Sequence, residues 1–157
     1  MEVAAIEVDA FLADSVVAAE GKLYALGVGW NTITAPTVPF FHDRIGIGVL
    51  VRVPYTATNQ QHRLVVWLED EDGTKVLLGD AADGDAKIDE FRIDFNVGRP
   101  PTLSPGDEQV VPFAMQINNM SFEKLGSYRF VFAVDGQPLR RLNFRVYQHQ
   151  QQNVVLR

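Results

Sequence analysis

The dominant period along the chain is two. In "RIGIGVLVRV" (44–53), Ile45, Ile47, Val49, Val51 and Val53 share one face, and Arg44, Gly46, Gly48, Leu50 and Arg52 the other. In "FRIDFNV", Phe91, Ile93, Phe95 and Val97 alternate with Arg92, Asp94 and Asn96, and "VPFAMQI" sets Val111, Phe113, Met115 and Ile117 on one side. Successive side chains of an extended chain leave on opposite faces, so these stretches predict strands with one buried and one wet face. "HRLVVWLED" is apolar on both sides, as a central strand would be.

The turns agree with the strands. "VDGQ" (134–137) places Asp-Gly between "YRFVFAV" and "PLRRLNFRV". Asp-Gly tolerates the positive φ angles of a two-residue hairpin turn, so Tyr128, Phe130, Phe132 and Val134 are expected to face Leu142, Phe144 and Val146. "EDEDGTK" (69–75) reads as a second hairpin turn, "GRPPTLSPGDE" (98–108) as a rigid connection, and "NTITAPTVPFFHD" as a loop with broken strand character. Helix is scarce. "ADSVVAAEGK" (13–22) offers Asp14 as a cap and Gly21 as a stop, but it is short and carries β-branched Val16 and Val17. It is read as a hairpin: "AAIEVDAFLADSVV" leads up, "AEGK" turns and "LYALGVGW" returns, bent at Gly27–Gly29 and anchored by Trp30. One helical turn, capped by Ser121, is expected at "SFEKLG" (121–126).

These elements predict an all-β fold, an immunoglobulin-like β-sandwich of about eight or nine antiparallel strands with little helix. "LGSYRF" supports that subtype. Gly126, Tyr128 and Phe130 have the spacing of a tyrosine corner, in which the phenol bonds backbone a few residues upstream. Phe130 then takes a position that is cysteine in many such domains, and Trp67 is expected to be the core tryptophan of a central strand. Residues 1–147 read as a single sandwich domain and 148–157 as a polar C-terminal tail.

Composition narrows the function. The chain has 157 residues, 46 % of them apolar and 22 % charged, which suits one globular domain with its own core. A net charge of −6 opposes a nucleic-acid partner, which demands a dense cationic face. No cysteine is present, which removes disulfides, thiolate metal sites and cysteine nucleophiles. "MEVAAIEVDAF" lacks the basic start of a secretory signal, and no apolar run reaches the ~20 residues of a membrane helix, so a cytoplasmic location is expected. Charge is uneven: ten acids lie within residues 69–94, whereas Arg140, Arg141, Arg145 and Arg157 follow position 138 without an acid. Two solvated surfaces are the simplest account, ahead of acidic and basic ends meeting in an oligomer.

Candidate chemistry is thin. His42, His62 and His149 have no metal-ligand spacing, so three structural or surface histidines are expected; a hydrolase would need an acid or hydroxyl to converge on His42 or His62. Ser121 and Lys124 match S-x-x-K by spacing alone, without companion motifs. "GDAADGDAKIDE" (79–90) resembles a calcium loop at Gly84 and Glu90, yet Gly79 and Ala81 occupy the first and third ligand places. Asp80, Asp83, Asp85 and Asp89 stay as candidate metal ligands outside that motif. "LGVGW" has Thr32 where a dinucleotide fingerprint requires a third glycine, and no βαβ unit surrounds it. No catalytic or cofactor-binding residue is assigned.

The stretch "ADSVVAAEGKLYALGVGWNTI" resembles an uncharacterised bacterial family, a domain of unknown function, through Ala13, Asp14, Gly21, Lys22, Leu23, Tyr24, Leu26, Gly27, Gly29 and Trp30. "HDRIGIGVLVRVPYTATN" and the closing "GSYRFVFAVDG…R…FRV" extend the resemblance over nearly the whole chain. It implies a β-sandwich and no assigned activity. The expectation is a non-catalytic binding or assembly module, with no cofactor, joined to an unidentified protein partner or to itself; the alternatives are a calcium- or carbohydrate-binding sandwich and a small hydrolase.

Overall fold

A computed structural model describes residues 4–80 and 87–149. In chain order the strands are β1 (Glu7–Ala13), β2 (Ser15–Ala19), β3 (Lys22–Leu26), β4 (Thr32–Ala35), β5 (Phe40–Pro54), β6 (Gln61–Asp70), β7 (Lys75–Val76), β8 (Leu78–Asp80), β9 (Lys87–Ile88), β10 (Glu90–Asn96), β11 (Glu108–Phe122), β12 (Gly126–Val134) and β13 (Gln137–Gln148). A 3₁₀ turn, Tyr55–Ala57, joins β5 to β6. The architecture is all-β. Its strands outnumber the eight or nine expected: β7, β8 and β9 are two- or three-residue pairings at loops, β4 lies in "NTITAPTVPFFHD", expected as a loop, and the first arm is divided into β1 and β2.

Two larger sheets share one core. One runs β1-β5-β11 and the other β10-β6-β12-β13-β4, with β7 also paired to β6. Ile45, Ile47, Val49, Val51 and Val53 of β5 are fully buried, as the period of two requires, and meet Leu64, Val66 and Leu68 of β6 and Phe130 and Phe132 of β12 in the same cluster. The β12–β13 hairpin forms where Asp-Gly stands: Asp135 and Gly136 have φ of 52° and 82°. Tyr128 pairs with Phe144 and Phe130 with Leu142, and a register shift follows Phe132.

Several expectations are corrected. The strands are not all antiparallel, because β4 pairs with β13 in parallel, Arg145 opposite Thr32. The first hairpin is not continuous with the arm before it. The chain breaks at Asp14, so β1 pairs with β5 while β2 pairs with β3 alone. Asp14 N–H donates to Leu26 O at 3.0 Å and Gly29 N–H to Leu12 O at 3.1 Å, which folds β2–β3 out of the sheet. Gly27, at φ 68°, makes the return, and a side chain there would collide with the Asp14 carboxylate. The wet face expected at Gly46 and Gly48 is buried. Phe11 lies across Gly48, and a Cβ at Gly46 would stand 3.1 Å from Val16 Cγ2, so these glycines are where the outer layer touches β5. Residues 121–126 form no helical turn: β11 stays paired with β5 through Phe122, with Ser121 inside the strand and its hydroxyl on Glu123. Trp67 faces outward on β6, its Nε1 donating to Glu69 at 2.9 Å, whereas Trp30 packs against the core beside Phe144. The last strand runs to Gln148, and His149 N–H donates to Ala35 O, one step past the expected start of the tail.

Candidate functional site

The β2–β3 hairpin has two unlike faces. Val17 pairs with Tyr24 and Ser15 with Leu26, so these side chains share one face and Val16, Leu23 and Ala25 the other. The second face lies inward: Val16 is buried over Gly46, and Leu23 and Ala25 are half-buried. The first is open to solvent, with Val17 56 %, Tyr24 52 % and Leu26 74 % exposed. The break at Asp14 and the bend at Gly27 hold this apolar face out from the body. Beside it lies a polar cleft of about 580 Å³ lined by Asp14, Ser15, Leu26, His42, Asp43, Arg44 and Asn118. Asn119, next to the cleft on β11, takes a left-handed φ of 52°, a conformation asparagine tolerates better than most residues.

The sequence candidates are scattered. His42 lies in that cleft between Trp30 and Phe40, and among the described residues no acid or hydroxyl is hydrogen-bonded to its ring. His149 is exposed at the end of β13. An acid does converge on His62: Asp135 Oδ2 lies 2.7 Å from Nδ1. The opposite nitrogen, Nε2, lies 2.7 Å from Ala57 O. Each ring nitrogen therefore already faces an acceptor of the protein itself, which leaves neither one open to a substrate. Burial lowers the pKa of His62, and the Ala57 carbonyl and the Asp135 carboxylate more than reverse this, leaving it above the ordinary 6.5.

The acidic candidates do not assemble among the described residues. Asp83 and Asp85 lie outside them. Asp80 closes β8 opposite Lys87, and Asp89 is exposed between β9 and β10. Among the described residues no group of three or more histidines and carboxylates is placed to hold a metal ion. The acids of β6 and β10 instead face cations. Glu69 accepts from Trp67 Nε1 and from Arg129 at 2.7 Å, and these two bonds hold its carboxyl below the usual range against the opposing effect of burial. No described helix is long and apolar enough to cross a membrane.

Sequence reasoning missed two features. Asp135 was legible as a turn residue but not as the partner of a histidine 73 positions away. The apolar face of β2–β3 did carry a signal: "SVVAA" and "KLYAL" are apolar on both faces, yet a two-stranded hairpin here covers only one.

A solved structure resembling this fold is that of the Pseudomonas fluorescens alkylpurine DNA glycosylase AlkC bound to DNA containing an abasic site analog, at 10 % identity and a TM-score of 0.42. The likeness covers 90 % of this chain and 30 % of that one, so this chain spans less than a third of its length. No curated protein matches the sequence. A family of unknown function, DUF6941, matches residues 8–147, from the second residue of β1 to the end of "NFRVY", and the chain belongs to that family.

Proposed function

We propose that the protein is a non-catalytic binding and assembly module of the immunoglobulin-like sandwich type, whose working surface is the outward face of β2–β3 and whose first partner is a second copy of itself. One observation carries this reading: Val17, Tyr24 and Leu26 stand together in solvent on a hairpin whose other face is packed. Covering the exposed part of these three side chains favours association by about 25 cal/mol for each Å² of apolar surface removed from water. The sandwich subtype is supported by the Tyr128 hydroxyl, which donates to Lys124 O at 2.6 Å, four residues upstream. The non-catalytic reading is supported by His62, both of whose ring nitrogens face acceptors of the protein itself.

Light scattering across a concentration series tests it. The mass of the wild-type protein is expected to rise above 17.5 kDa with concentration, while Leu26→Asp stays at the monomer value. A wild-type mass of 17.5 kDa at every concentration would sink the assembly reading.

A further inference from the structure

His62 sits at the head of β6, 5 % exposed, beneath the Tyr55–Ala57 turn. Its Nε2 faces the Ala57 carbonyl and its Nδ1 the Asp135 carboxylate, each at 2.7 Å. Both partners only accept. A neutral imidazole has one N–H, so it satisfies one partner and turns a lone pair on the other; the imidazolium satisfies both. Asp135 is itself fixed from the far side. Its Oδ1 accepts from Arg63 N–H at 2.9 Å, and its own N–H donates to Arg63 O at 2.9 Å.

We infer that His62 is a proton-operated clasp: in its charged form it ties the β5–β6 turn, the head of β6 and the β12–β13 turn together, and loss of the proton opens it. The surrounding charges are few. Asp135 of the β12–β13 turn favours the proton. Arg63 of β6 opposes it but is drawn off by Asp94 of β10 at 2.6 Å. Arg99, arriving after β10, opposes it from the turn side, where its guanidinium bonds Thr58 Oγ1 and Tyr55 O. Phe95 of β10 packs on the ring at 5.5 Å, with Phe113 of β11 behind it. Because the folded-state pKa lies above the unfolded value, the clasp stabilises fully below pH 6.5 and is lost as pH rises through the folded value.

Nitrogen NMR of the whole protein and a thermal series test this. At pH 6.5 one histidine is expected to show both ring N–H groups, and its signal to vanish in His62→Gln. If that variant does not fold, His42→Gln and His149→Gln assign the signal by elimination. The wild-type Tm is expected to fall as pH rises from 6.5 through the folded-state value, and Asp135→Asn to flatten that fall. A His62 ring with a single N–H at pH 6.5, or a pH profile of Tm that Asp135→Asn leaves unaltered, would overturn the clasp.

Discussion

Tyr128 shows what a single residue can disclose in advance. Its spacing from Gly126 and Phe130 announces a hydroxyl that reaches back to the backbone, and the hydroxyl does so at Lys124 O. The ring is buried against Phe122 and Phe144. Tyr128→Phe keeps that packing and strands one carbonyl, so a loss of about 1 kcal/mol in chemical denaturation is expected. Trp67 shows the converse. A tryptophan on an apolar strand reads as core, but β6 is apolar on both sides, and a period of two cannot say which side is in. The outward position is settled by Glu69, two residues on, which accepts the indole N–H. His62 and Asp135 were each visible as residues, and their meeting was not, because it depends on β6 and β12 lying side by side with Leu64 opposite Val134.

At the scale of elements, periodicity located the long central strands of both sheets and the Asp-Gly turn, since these follow from alternation and backbone preference, but missed β4 and the start of β5 in "NTITAPTVPFFHD", expected as a loop. It did not locate the exit of β2–β3 from the sheet, which depends on Asp14 and Gly27 meeting in space. Nor did it identify the outer cover of β5. Two glycines in an alternating strand look like a bare wet face, but Phe11 and Val16 use the room. Gly48→Ala would place a methyl group within the Phe11 ring. A cost of about 1–3 kcal/mol is expected, read as a lowered midpoint of unfolding, and Phe11→Ala in the same chain should relieve the clash.

For the whole molecule the ionisable groups define a range of pH. Glu69, Glu90 and Asp94 are each held below their ordinary values, chiefly by hydrogen bonds from Trp67 and Arg129, from Arg92 and from Arg63. A depressed carboxylate contributes stability that is present above the unfolded value, near 4.5 for the glutamates, and fades as pH falls through the folded one. His62 works in the opposite sense above 6.5. Greatest stability is therefore expected between these limits. Trp67→Phe removes one donor from Glu69, so acid unfolding of this variant, followed by circular dichroism, should begin at a higher pH than in the wild-type protein. That the chain is all-β was legible from sequence. What its surface meets was not, because exposure belongs to the folded arrangement.

The parallel pairing of β4 with β13 has a consequence for synthesis. A nascent chain makes Thr32–Ala35 early and Gln137–Gln148 late, and among the described residues β4 has no other partner in its sheet. On the ribosome β4 must wait, with its backbone groups unpaired, until nearly all the intervening chain has emerged. The edge of the six-stranded sheet therefore closes last, after its other strands have been made, the slow step that pairing across a long sequence separation imposes.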